Sequence, residues 1–319
     1  MAVYTEVSDE ALQAFLTAYD IGEMVAFRGI AEGVENSNYM LRTTTGDFIL
    51  TLYEKRVNAA DLPWFLGLMQ HLAQHGVTCP LPVAGRDGGA LRMLAERHAA
   101  ITTFLPGIWP RRVQLAHCAP LGAALAQLHA AGQSYTPRRE NALGPSGWRP
   151  LLTPSLPRAD EVVPGLGAEL AASLDQILGA WPQGLPVGQI HADLFPDNVF
   201  FLKHQVSGLI DFYFAATDFL AYDLAICLNA WCFEPDGAFN VTKGRAMIGA
   251  YRAIRDLTPA EEAALPILAQ GSAMRFLLTR LYDWLHTPAN ALVTRKDPLE
   301  YLRKLRFHRH ASGIAAYVG

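Results

Sequence analysis

The stretch 189–201, QIHADLFPDNVFF, with LIDFYF following at 209–214, decides how the rest of the chain is read. His191 and Asp193 are followed by Asn198, and a second acid, Asp211, arrives inside an apolar run. Asp193 can accept the proton of an attacking hydroxyl. The Asn198 Oδ1 and the Asp211 carboxylate are the oxygen donors that a hard cation such as Mg2+ prefers. Their apolar flanks, Val199, Phe200, Phe201, Leu209 and Ile210, place both cation ligands on a β-hairpin packed into a core. A lone His-x-Asp arises by chance, and a buried Asp often only caps a turn. Three polar residues in this order, between strand-like apolar runs, point instead to phosphoryl transfer.

Upstream of this stretch the periodicity is mostly that of strands. After a first helix capped by Ser8, with Leu12, Phe15, Leu16 and Tyr19 at helical spacing, strands are expected at 24–30, 39–43 and 48–53. The polar turn 31–38 between the first two can face phosphate oxygens with its backbone N–H groups and with Asn36 and Ser37; its bland reading is an ordinary hairpin. A helix follows Asp61 and Pro63. Two more strands, near 91–95 and 99–104, flank a turn at Glu96-Arg97-His98. Beyond residue 107 helices dominate, at 113–131, 166–180, 218–230, 240–255, 259–286 and 298–311, and the Pro-, Gly- and Arg-rich segment 132–160 reads as an irregular loop. The fold class is therefore α+β: a small antiparallel β-sheet lobe over 1–105 and a larger, mostly helical lobe over 106–319.

Of the 319 residues, 51% are hydrophobic and 18% charged, enough for a substantial core. A net charge of −4 does not suit a nucleic-acid binder that relies on a basic surface. Cys79, Cys118, Cys227 and Cys232 lack zinc-ligand spacing and read as buried free thiols of a reducing compartment. Neither a signal peptide nor a membrane-spanning run is visible, so a cytoplasmic protein is expected, with no membrane partner. No feature of the sequence fixes an oligomeric state.

Several charged residues fall in apolar surroundings. Asp218 either caps a helix beginning there or has a functional role. Asp223 lies inside that helix and wants partners; bonding back to the catalytic-loop backbone or to His191 would give it and His191 a supporting role. Arg275 and Arg280, in MRFLLTRLYDWL, either form internal ion pairs or meet a substrate carboxylate. Arg303, Lys304, Arg306 and Arg309 read as a solvated helix face.

With these residues in place, IHADLFPDNVFF and LIDFYFAATDFLAYDLAICLNAW resemble the aminoglycoside-phosphotransferase-like kinases, which include choline, methylthioribose and fructosamine kinases. FRGIAEGVENSNYML, FILTLYEK and MRFLLTRLYDWL bring the resemblance closer to the ThrB-type homoserine kinases that carry this fold. The resemblance implies a bilobal protein-kinase-like architecture, ATP and Mg2+, and O-phosphorylation of L-homoserine on the way to threonine. It implies Asp193 as base, Asn198 and Asp211 as metal ligands, and Thr103-Phe104-Leu105 as the hinge that meets adenine. The residue at the place of the usual strand lysine is Thr51, with Lys55 four positions on, and no helix Glu pairs with it. For the acceptor, Arg275 or Arg280 can meet the carboxylate, and Asp197, Asp218 or Tyr213 can lie near the ammonium. A kinase of another small hydroxylated amine (choline, methylthioribose, an aminoglycoside) and a nucleotide-binding pseudokinase are the competing readings.

Overall fold

Alternating apolar residues in the first hundred positions pair into one antiparallel sheet. The computed structural model describes residues 5–30, 36–54, 58–287 and 295–319. Helix α1 (Asp9–Leu16), whose Ser8 Oγ accepts from the Ala11 N–H at 3.2 Å, leads into strands β1 (Met24–Gly29), β2 (Ser37–Thr43) and β3 (Asp47–Leu52). After α2 (Leu62–Gln74) come β4 (Leu91–Leu94) and β5 (Arg97–Thr103), and the strand order is β1-β2-β3-β5-β4. Leu12, Tyr39, Leu41, Leu50, Leu52 and Ile101 form the core between α1 and the sheet.

The β4–β5 connection is shorter than its sequence suggests. Leu94 pairs with Arg97, so Ala95 and Glu96 alone make the turn, with φ of 48° and 59°. A two-residue hairpin of this twist needs both central residues in the left-handed region. Arg97 and His98, expected in the turn, are strand residues.

This first unit extends to Ile108 and also takes in Ser207–Tyr213, a return of the chain that the sequence division at 105 does not announce. Within the unit, the Leu209 N–H donates to the Thr78 carbonyl at 2.9 Å and the Ser207 hydroxyl to the Pro106 carbonyl at 2.7 Å.

The second unit is largely helical, comprising 109–206 and 214–319. Its helices are α3 (Leu115–Gly132), α4 (Pro145–Leu152) and α5 (Leu166–Gly179), then α6 (Leu220–Trp231), α7 (Val241–Arg252), α8 (Pro259–His286), α9 (Pro298–Arg309) and α10 (Ala315–Val318). Helix α4 and a 3-10 segment, Leu156–Glu161, occupy part of the expected loop 132–160. Strand β6 (Val187–Ile190) pairs antiparallel with β9 (Ala216–Phe219). Strands β7 (Val199–Leu202) and β8 (Gln205–Leu209) make a ribbon within which the chain passes into the first unit.

Helix α3 lies so close to α7 that a Cβ on Gly122 would sit 2.2 Å from the Met247 carbonyl oxygen, which requires glycine there. Helix α8 begins with the capping box read from sequence: Thr258 Oγ1 accepts from the Glu261 N–H at 3.2 Å, and the Glu261 carboxylate accepts from the Thr258 N–H at 2.9 Å. On α9, Arg303 and Arg306 are solvent-exposed as the sequence suggests, but Lys304 is buried and bonds Glu300 at 2.6 Å, and Arg306 and Arg309 reach Glu169 on α5, so the face carries ion pairs as well.

Candidate active site

Strand β6 ends at Ile190 and hands the chain to His191, Ala192 and Asp193. Ala192 has φ of 63°, an unfavourable left-handed conformation for a residue with a Cβ. It persists because its peptides are gripped from two sides. Asp223, fully buried on α6, accepts from the His191 N–H at 2.7 Å and from the Ala192 N–H at 2.9 Å. Arg275 of α8, 2% exposed, donates its Nη1–H to the Ala192 carbonyl. The Trp231 Nε1–H donates to the Leu194 carbonyl at 2.7 Å. The loop is thus built of committed backbone groups.

Asp223 itself is supported. Burial alone would raise its carboxyl, but the His129 hydrogen bond and the charges of His129 and His191, with the loop N–H groups, hold it below the usual range. His129 Nε2 lies 3.2 Å from Asp223 Oδ2 and its Nδ1 2.8 Å from the Tyr251 hydroxyl. Arg255 donates to that hydroxyl at 3.0 Å and to Glu261 at 2.8 Å. A buried polar chain therefore runs from the loop to the first turn of α8. Sequence spacing gives no sign of His129, because its partners are 94 and 122 positions away.

Asp193 keeps some solvent access, yet burial pushes its carboxyl up to about 6, against the lowering charges of Arg275 and Lys296 and the Asn198 hydrogen bond and with the raising charge of Asp197. The Asp193 N–H donates to His191 Nδ1 at 3.3 Å. Asn198 closes the 3-10 turn Pro196–Asn198. Its Nδ2 donates to the Asp193 carbonyl at 2.8 Å and to Asp193 Oδ2 at 3.2 Å. That orientation turns the Asn198 Oδ1 away from the acid, as an acceptor.

Asp218 lies in β9, opposite Gly188, and is not the helix cap; α6 starts at Leu220 with Phe219 at the cap position. Its carboxylate accepts from Asn141 Nδ2 at 2.8 Å and from the Phe219 N–H at 2.7 Å, and burial raises its pKa. Asp197 is exposed. Arg280 takes the internal ion-pair alternative, with Glu300 at 2.7 Å.

In the first unit Asp211 follows β8 with φ of 66°. Tyr213 is tied to the sheet: its hydroxyl lies 2.9 Å from that of Tyr53, and its ring meets Tyr53 and Phe65 edge-on at 5.2 and 5.7 Å. The Thr51 hydroxyl donates to Asn38 Oδ1 at 2.8 Å. Asn36 Oδ1 accepts from the Glu54 N–H at 3.3 Å, and the Ser37 hydroxyl donates to Glu54 at 2.7 Å; Arg97 completes this anchor at 3.0 Å. The Asn36 and Ser37 side chains are therefore committed to seating Glu54. Thr103 and Phe104 donate their N–H groups to Leu81 and Asp47 at 3.0 and 3.3 Å, and Leu105 follows them. Lys55 and the turn residues 31–35 lie outside the described residues.

Residues 26–257 match the phosphotransferase enzyme family. The chain is 69% identical to the homoserine kinase of Granulibacter bethesdensis over 317 residues, 99% of each chain, and 67% identical to that of Acidiphilium cryptum over 99% of each. In fold it is similar to an amicoumacin kinase solved with AMP-PNP, Ca2+ and Ami (TM-score 0.72, 15% identity, 96% of this chain and 95% of that one). It is also similar to the choline kinase of Cryptosporidium parvum (TM-score 0.66, 15% identity, 95% and 94%). The chain belongs to the phosphotransferase enzyme family, in its homoserine kinase branch.

Proposed function

We propose that the protein transfers the γ-phosphoryl group of ATP to the hydroxyl of L-homoserine, giving O-phospho-L-homoserine and ADP in the cytoplasm, a step toward threonine. The full-length identity to curated homoserine kinases carries this reading. Asp193 accepts the hydroxyl proton as the oxygen attacks phosphorus. A carboxyl pushed up to about 6 is still ionised at neutral pH and more basic than an ordinary aspartate, which suits a general base. Asp223 and Arg275 hold the loop that aims it.

Asn198 and Asp211 would hold Mg2+. The donor chemistry fits: both offer hard oxygen, and the Asn198 amide directs its nitrogen to Asp193, which leaves its oxygen for a cation. When bound, the ion neutralises charge on the phosphate oxygens. Thr103, Phe104 and Leu105 meet adenine, and Lys55 supplies positive charge to the phosphates in place of a lysine at Thr51. Asn36 and Ser37 act indirectly, through Glu54 at the end of β3. On the acceptor side Asp197 is the exposed anion beside Asp193 and the best partner for the substrate ammonium; Asp218, already bonded twice, and Tyr213, bonded to Tyr53, are less suited.

An ADP-release assay over homoserine, choline, ethanolamine, methylthioribose and an aminoglycoside tests the reading. Homoserine is expected to be the preferred acceptor. Turnover of choline or the aminoglycoside without homoserine would discard it, and ATP binding with no turnover of any acceptor would make the chain a pseudokinase.

A further inference from the structure

Homoserine carries a carboxylate as well as an ammonium, so its pocket needs a cation near the base. Resting on the homoserine reading, we propose that Lys296 binds the carboxylate of the acceptor and sets the preference for an amino-acid alcohol over a simple amino alcohol. The two arginines that the sequence offers as carboxylate ligands are committed elsewhere. Arg275 is 2% exposed and bonded to the Ala192 carbonyl, and Arg280 is paired with Glu300. Lys296 differs from both. It is exposed, and its Nζ stands 5.7 Å from the centre of the Phe195 ring.

Phe195 belongs to the catalytic loop, and its N–H donates to the Asp193 carbonyl at 2.8 Å. The Lys296 charge acts directly on the Asp193 carboxyl. So does the opposite charge of exposed Asp197. Among the described residues, one exposed anion and one exposed cation thus act on the base, a pattern complementary to a zwitterion. The reach also fits. Four bonds separate the homoserine hydroxyl oxygen from its carboxylate carbon, about 5 Å when extended. With the hydroxyl about 3 Å from Asp193, the carboxylate falls within range of a lysine that already acts on that acid. A lysine held at an exposed site by a ring face gives up little when a carboxylate replaces the ring. A single lysine just before a helix, as Lys296 is, carries no local signal in the sequence.

The test compares L-homoserine with 3-aminopropanol, which is homoserine without its carboxylate, in the full-length protein and its K296M and K296R variants. K296M is expected to lower kcat/KM for homoserine about 10- to 100-fold more than kcat/KM for 3-aminopropanol, the difference lying mostly in KM, while any change in the Asp193 base affects both acceptors alike. K296R should recover most of the loss. Where turnover of the amine is too slow to follow, its Ki against homoserine replaces it, and an unchanged Ki in K296M is the supporting result. An equal loss on both compounds, or no loss on homoserine, overturns the proposal. If the unsubstituted protein uses 3-aminopropanol but not homoserine, the function reading itself fails, which is a different outcome from either.

Discussion

Two short segments carry the proposed chemistry, 191–198 and 211–213, and they are held by opposite means. The first is gripped through its backbone by buried charges, Asp223 on two N–H groups and Arg275 on a carbonyl. The second is tied to the sheet of its unit by neutral side-chain contacts, the Tyr213 hydroxyl on those of Tyr53 and Thr51 with aromatic edges around it. Buried charge fixes a geometry strongly, and losing one partner strands the other. A hydroxyl pair between aromatic rings is weaker and can be replaced by packing. The catalytic loop should therefore be brittle and the 211–213 segment tolerant.

The largest effect belongs to the group the brittle segment presents. Asp193→Ala should lower kcat about 10³- to 10⁴-fold while KM for ATP changes little, measured by ADP release. In the unsubstituted protein the base must be ionised, so kcat/KM should fall as pH drops through about 6, tenfold per unit below it. The same shift has a stability consequence of fixed sign. Folding raises this pKa, so the folded state holds the proton more tightly and stability is lost as pH rises from the ordinary carboxylate range through about 6. Asp193→Asn should thus melt roughly 2–4 °C higher at pH 7.5, although inactive. A lower melting temperature would show that the carboxylate is not held at a cost.

Next comes Asp223→Ala, which leaves two buried N–H groups and His129 without their acceptor. A loss of about 3–5 kcal/mol in urea unfolding is expected, with kcat at least tenfold lower in the protein that remains folded. The Asp223 carboxyl is held below its usual range. Its contribution is therefore present above about pH 4 and lost as pH falls further, so the gap between the variant and the parent should close in acid. A gap that stays constant to pH 3 would mean that cavity formation, not charge, is responsible.

How much of this was legible depended on the range of the interactions. The spacing of Asp193, Asn198 and Asp211, the capping box at Thr258 and Glu261, and the change from strand to helical periodicity near 107 are local and readable. Asp223 could be read as a supporting residue because a buried acid inside an apolar helix demands partners. Helix α4 was hidden: it is eight residues long, starts at a proline, and buries only Trp148 and Leu152, too few to show a period. Asp218 looked like a cap, but pairing of β9 with β6 extends the strand past it and delays the helix. His129 and Lys296 have partners set by tertiary packing, which no window on the sequence contains.

Arg275 separates charge from shape within the brittle segment. Arg275→Met keeps much of the packing against Phe276, whose ring centre lies 4.4 Å from the guanidinium carbon, and removes the bond to the Ala192 carbonyl. A hydrogen bond from a charged donor contributes about 1.5–3 kcal/mol, so a roughly ten- to hundredfold drop in kcat is expected, with little change in KM for homoserine. Arg275→Lys should fall between the two. A rise in KM with kcat preserved would return Arg275 to the role of carboxylate ligand.

The smallest effect tests the tolerant side. Tyr213→Phe keeps the edge-on contacts to Tyr53 and Phe65 and deletes only the hydroxyl, which meets Tyr53 and Thr51. A neutral hydrogen bond of this kind contributes about 1 kcal/mol, so stability should fall by that amount and kcat by less than about fivefold. Tyr53→Phe should behave alike. The double variant should cost little more than Tyr213→Phe alone, since Tyr53→Phe removes only a bond that Tyr213→Phe already removes. Additive losses would mean that each hydroxyl has a separate partner. A fall in kcat comparable to that of Asp223→Ala would remove the contrast between the segments, and would show that neutral hydroxyl contacts fix the 211–213 segment as firmly as buried charge fixes the catalytic loop.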